Sequence, residues 1–110
     1  MNRYTITTTC DDTFPGAVID LTAELGETVD LSTANINMDF RLNSKTGTLS
    51  LSIEDGYGIT ISGVKQFEID KQVFDLAAGT YYSDCEITLT NGDVYTPVSI
   101  KWIIEQDVTK

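Results

Sequence analysis

The chain contains no histidine. The usual general base at neutral pH is missing, and with it Ser-His and Cys-His nucleophile pairs. Cysteine is limited to Cys10 and Cys85. Two thiols cannot supply the four ligands of a structural zinc site. A disulfide-built secreted scaffold would carry four or more. Positive charge is scarce: seven Lys and Arg stand against seventeen Asp and Glu, for a net charge of -10. Neutralising phosphates needs clustered cations, so this balance argues against nucleic acid as a direct partner and against an anionic membrane surface. No apolar run approaches the length of a membrane span. A glycine-rich phosphate loop is also missing. The few prolines, Pro15 and Pro97, are placed to mark strand edges or bulges.

What is present is alternation. Met38-Asp39-Phe40-Arg41-Leu42, Thr48 to Ile53 and Cys85 to Thr90 each switch between apolar and polar at every step. A period of two sends successive side chains to opposite faces of a pleated strand, one buried and one wet. No stretch sustains a helical period. Apolar residues make up 41% of the 110 residues and charged residues 22%, the balance of a folded domain rather than a disordered chain. One domain over 1–110 is expected. The acids are scattered, as a solvated and mutually repelling surface requires.

Along the chain, Tyr4 to Cys10 reads as a Thr-rich strand, with Tyr4, Ile6 and Cys10 sharing a face. Phe14-Pro15-Gly16 is a kink, and Val18 to Leu21 resumes the strand. Glu24 to Glu27 is a loop. The strand ending at Leu42 has Ile36, Met38, Phe40 and Leu42 inside. Asn43 to Gly47 is a turn by composition. Glu54-Asp55-Gly56-Tyr57-Gly58 is the strongest turn signal, with two glycines free to take positive φ. Short strands follow at Ile59–Ile61 and Phe67–Ile69. Asp70 to Leu76 predicts a single helical turn, with Asp70 capping Val73 and with Val73, Phe74 and Leu76 facing the core. Thr80 to Thr90 is a long strand, with Tyr81, Cys85, Ile87 and Leu89 inside. Asn91-Gly92 predicts a type I′ hairpin turn. The closing strand, Asp93 to Glu105, turns Val98, Ile100, Trp102 and Ile104 inward. Trp102, Phe40, Leu51, Ile87, Tyr81 and Ile100 are expected to form the core.

Seven to eight short strands with turns about every ten residues predict an all-β, immunoglobulin-like antiparallel β-sandwich with one short helical turn. Tyr81, at the start of the penultimate strand, is either a tyrosine corner or simply a buried ring. Cys85 is expected as a buried free thiol acting as a small hydrophobe. A bridge from Cys10 to Cys85 stays open.

Candidate chemistry is thin. Asp84 and Glu86 share a strand face at roughly 7 Å, within reach of a carboxylate dyad, but no cleft is signalled around them. Glu54-Asp55-Gly56 and Asp11-Asp12 could contribute calcium ligands, yet neither follows a spaced ligand pattern, and turns explain them better. No catalytic residue, metal or cofactor is expected. Tyr57, at a glycine-flanked loop tip, is a candidate contact residue. Met1-Asn2-Arg3 runs straight into a polar strand without an apolar leader, so synthesis in a cytoplasm is expected.

The order of motifs resembles small immunoglobulin-like structural proteins of tailed bacteriophages and prophages, the tail and baseplate type. The resemblance runs over Asp11 to Phe14, Val29 to Ser32, Ala34 to Leu42 and Asp55 to Ile61. It continues through Leu76-Ala77-Ala78-Gly79-Thr80-Tyr81 with Asp84-Cys85-Glu86, and through the Asn91-Gly92 hairpin with its closing strand. It implies a non-enzymatic virion component that assembles by sheet edges and loops. Its partners would be copies of itself or other virion proteins. Ending at Lys110, it would be an adaptor, connector or decoration rather than a whole receptor-binding protein. The interface candidates are Tyr4, Ile6, Phe14, Pro15 and Tyr57. The rival expectation is a module that binds a carbohydrate or host-surface glycan, for which exposed Tyr57, Tyr82 and Tyr95 gathered on one face would be the sign.

Overall fold

The structure is a computed structural model and describes residues 2–10, 12–25, 29–44 and 46–106. The runs of alternation become strands: β1 (Asn2–Thr9), β2 (Ala17–Asp20), β3 (Asn35–Leu42), β4 (Leu49–Asp55), β5 (Gly58–Gly63), β6 (Gln66–Ile69), β7 (Gly79–Thr88) and β8 (Val94–Glu105). All eight belong to one sheet, in the order β1-β8-β7-β3-β4-β5-β6-β2. The expected pair of separate sheets is thus one sheet that curls. Its two arms, β1-β8-β7-β3-β4 and β5-β6-β2, face a common core in which Ile19 of β2 and Trp102 of β8 belong to the same cluster.

The curl turns on the β4–β5 joint. There the strands pair over only Glu54↔Gly58 and Asp55↔Ile59, and in parallel. Gly56 and Gly58 take φ of 87° and 100°, the left-handed region where a side chain is strained. The other departure from an antiparallel plan is β1, which runs parallel to β8 from Asn2↔Val98 to Thr9↔Glu105. Parallel pairing along a whole strand, unlike the short contact at the β4–β5 joint, needs a long crossover, and here the whole intervening chain is that crossover.

The core follows the phase of the alternation. Ile36, Met38 and Phe40 of β3, Tyr81, Cys85 and Ile87 of β7, and Val98, Ile100, Trp102 and Ile104 of β8 are all buried. Leu51 is only partly buried, against expectation. The β4–β5 pairing covers only the far end of β4, so β5 does not extend alongside Leu49 and Leu51.

The segment from Asp70 to Leu76 is extended, not helical. Phe14 and Gln72 exchange backbone hydrogen bonds of 2.8 and 3.1 Å, which draws this segment into a bridge with the kink before β2. Its period is two: Phe74 and Leu76 are buried while Val73 is 55% exposed. Asp70 caps nothing here and accepts from the Thr60 hydroxyl at 2.8 Å. The single 3₁₀ turn among the described residues lies at Leu31–Thr33, where Ser32 N–H donates to Asp30 Oδ1 at 2.8 Å. That bond holds the Asp30 carboxyl below its ordinary value of 3.8. The cap is therefore strongest above about pH 4 and is lost as acid protonates it.

Asn91-Gly92 does make a reversal, but not of type I′. Gly92 N–H donates to Leu89 C=O at 2.9 Å, and Leu89 N–H to Asp93 C=O at 2.8 Å. Only Gly92 has positive φ, at 94°. This is a three-residue loop closed by a left-handed glycine. Asn91 instead uses its side chain, whose Oδ1 accepts from Asp93 N–H at 2.9 Å. Past the hairpin, Pro97 sits in a bulge, because the β7–β8 register shifts between Cys85↔Val98 and Ile87↔Tyr95.

Candidate functional site

The five interface candidates separate on folding. Tyr4 is 36% exposed and Ile6 half-buried, both on β1. Pro15 is exposed. Phe14 is not: it is 4% exposed, its ring 5.6 Å from Trp102 and 5.3 Å from Phe74. Sequence reading took an aromatic beside a proline for a surface kink. The strand bridge to Gln72 turns it inward as a core plug, so it drops out as a contact residue. Tyr57 is 76% exposed at the tip between β4 and β5. Four strand spacings separate β1 from β4 in the sheet order, roughly 19 Å along the sheet, so Tyr57 does not join a β1 surface.

The two edges of the sheet differ chemically. β2 is four residues long and ends at Asp20, whose Oδ1 accepts from both the backbone N–H and the hydroxyl of Thr22 at 2.8 and 2.6 Å. β1 is eight residues long, reads Asn-Arg-Tyr-Thr-Ile-Thr-Thr-Thr, and contains no acid, lysine or proline. Its far side pairs with no described strand. Its described side chains are exposed or half-buried, none fully buried. It is a long edge whose one charge is Arg3, without the lysines that normally blunt one.

On the outer face, Asp84 and Glu86 lie beside Asp39, Arg41 and Tyr82 around a polar depression of about 150 Å³, which sequence reading did not foresee. Asp39 accepts from the Ser52 hydroxyl at 2.6 Å and stands 3.7 Å from the Arg41 guanidinium. The depression is below the size that holds a drug-sized ligand. Among the described residues, no three His, Cys, Asp or Glu side chains gather to hold a metal ion. Asp55 Oδ1 accepts from Ile36 N–H at 2.8 Å, a structural use that ties β4 to β3. Asp11 lies outside the described residues, as does Glu27.

The tyrosines do not gather. Tyr82 opposes Arg41 in mid-sheet, whereas Tyr95 opposes Ile87 near the hairpin end and Tyr57 tips the β4–β5 joint.

Neither Cys10 nor Cys85 is in a disulfide. Cys10 donates its thiol to Leu76 C=O at 3.4 Å. Burial, and then the neighbouring Asp84 carboxylate, push the Cys85 thiol up to about 12. Burial, and then Cys10, raise the Tyr81 hydroxyl. Both groups are held neutral in the folded state. The Cys85 contribution to stability is complete below the ordinary thiol value of 9.0 and is lost as pH rises from there towards 12. Urea midpoints are therefore expected to fall between about pH 8 and about pH 11, with a smaller fall for Cys85→Ala. An identical fall in both proteins would show that the Cys85 thiol is not responsible.

Comparison with protein-family models, with curated proteins and with solved structures finds no match.

Proposed function

We propose that this chain is a non-enzymatic, immunoglobulin-like assembly module, a structural component of a phage tail, baseplate, neck or head decoration, that docks through the open edge of β1. The observation that carries the reading is that edge: eight residues, Thr-rich, with Arg3 as its one charge, on a molecule of net charge -10. An edge strand presents a row of backbone donors and acceptors to any strand laid against it. In an acidic protein, the one long edge free of acids is where a second chain meets least repulsion.

The immunoglobulin-like part of the reading is supported by the strand order. The arm β1-β8-β7-β3-β4 faces the arm β5-β6-β2, and the first strand runs parallel to the last. It is also supported by Tyr81. This ring sits at the start of β7, and its hydroxyl donates to Ala77 C=O four residues upstream at 2.8 Å, as a tyrosine corner does. The phage assignment rests on the motif order from Asp11 to Ile104.

The test is association. Sedimentation of the purified chain is expected to show self-association, or co-sedimentation with a neighbouring virion protein. The Thr7→Lys/Thr9→Lys variant, which adds edge charge without touching the core, should remain monomeric at the same concentration. A parent chain that is monomeric and binds no virion protein would remove this reading. So would a lysine variant that associates equally well.

A further inference from the structure

We propose that the outer face of β8 and β7 carries a groove for a sugar ring bearing a carboxylate. The groove holds about 500 Å³, the size of small-ligand sites. Its floor is Tyr82, Ser99, Ile100 and Lys101, and one wall is Arg3, Tyr4 and Thr5 of β1. The opposite wall is the turn after β3, at Asn43 and Ser44.

Three features point to this ligand. The first is charge. The chain has seventeen acids and seven cations, yet the lining holds Arg3 and Lys101 and no acid. The register extends this: Thr5 opposes Lys101, Lys101 opposes Tyr82, and Tyr82 opposes Arg41, so the ring stands in a row between two cations. Directly opposed side chains in such a row lie about 5 Å apart. A small anion is admitted here and repelled by most of the remaining surface.

The second feature is the neutral lining. The hydroxyls of Thr5, Ser44 and Ser99 and the amide of Asn43 are the donors and acceptors that sugar hydroxyls pair with. Half-buried Tyr82 adds an aromatic surface of the kind sugar rings pack on. The third feature is a preset wall. Asn43 holds φ 65°, and its N–H donates to Thr80 C=O at 2.9 Å, which pins the turn against β7. Asparagine tolerates positive φ, so the turn holds this shape at little strain.

The carboxylate could belong to a free sugar acid or to an acidic polysaccharide of a cell surface; the chemistry at the groove is the same. The test is a titration of the ¹⁵N-labelled chain with galacturonic acid, with its trimer, and with galactose, followed by amide shifts. Saturable shifts at millimolar galacturonic acid are expected around Asn43, Tyr82, Ser99 and Lys101. Galactose should bind about tenfold more weakly, and Lys101→Ala should weaken galacturonic acid by about tenfold, the loss of one charge-assisted hydrogen bond. Trimer binding tighter than monomer binding supports a polymer source, and equal binding supports a free sugar acid. The proposal is overturned if galacturonic acid gives no saturable shift. It is also overturned if galactose binds equally, or if Lys101→Ala changes nothing while its spectrum remains folded. Binding by the Thr7→Lys/Thr9→Lys variant would keep this site separate from assembly through β1.

Discussion

Trp102→Ala is expected to cost about 3–5 kcal/mol. Trp102 is fully buried, and its ring packs 4.9 Å from Phe40, 5.2 Å from Phe74 and 5.6 Å from Phe14. These four rings come from β8, β3, the bridge segment and the kink before β2, so the indole joins four parts of the chain at once. Its Nε1–H donates to Ser83 Oγ at 2.8 Å, and both groups are buried. Alanine leaves a cavity the size of an indole and strips Ser83 of its donor. Small domains carry only about 5–15 kcal/mol in total, so a large part of the stability would go. Trp102→Phe keeps a ring but loses the hydrogen bond and is expected to cost less. Urea unfolding followed by circular dichroism checks both. A loss below about 1 kcal/mol for alanine would contradict the packing described.

The second large effect is at the joint. Gly58→Ala is expected to cost about 2–4 kcal/mol, from backbone strain and overpacking together. Gly58 has φ of 100°, and an added Cβ would lie 2.9 Å from Ile53 Cγ2 and 3.2 Å from Gln72 Oε1. Ile53 is a buried core residue, and Gln72 Nε2 donates to Gly58 C=O at 3.1 Å, so neither neighbour yields cheaply. Gly56→Ala is the control. Gly56 has φ of 87°, but nothing stands within 4 Å of its Cβ position, so only the backbone term of about 1 kcal/mol applies. Equal unfolding midpoints for the two variants would show that the close approach at Gly58 does not matter.

Much of the strand content could be read directly from the chain. Phe40, Ile87, Ile100 and Trp102 were placed inward from the phase of their alternation, and the pleat allows no other outcome once one face is buried. Pro97 was placed at an edge or bulge because it lacks an N–H to donate, and it sits in one. Errors came where a local signal met a distant partner. Asp70 followed by Val73 and Phe74 looks like a capped turn, but two backbone bonds between Gln72 and Phe14 outweigh one helical turn, which is costly to nucleate. Asn91-Gly92 has the composition of a type I′ turn, yet the neighbouring bulge and the Asn91 side-chain bond to Asp93 select a longer loop.

The candidate sites show the same division. That β1 lacks protective lysines is plain from its eight residues; that it forms an edge depends on its parallel register with β8, which no local pattern encodes. The groove is still less legible. Arg3, Asn43, Tyr82 and Lys101 are distant along the chain and carry no shared motif, and only cross-strand register brings them together.

The sequence alone determined the inward phase of β3, β7 and β8, the lack of any histidine for acid–base work, and the net charge of -10. These follow from side-chain period and composition, which are local. Tertiary structure alone decided that the strands form one curled sheet, that Phe14 plugs its core, and that cations meet around Tyr82. Those outcomes depend on hydrogen bonds between backbone segments far apart in the chain. Backbone groups are alike in every residue, so the pairing is selected by the fit of the whole core.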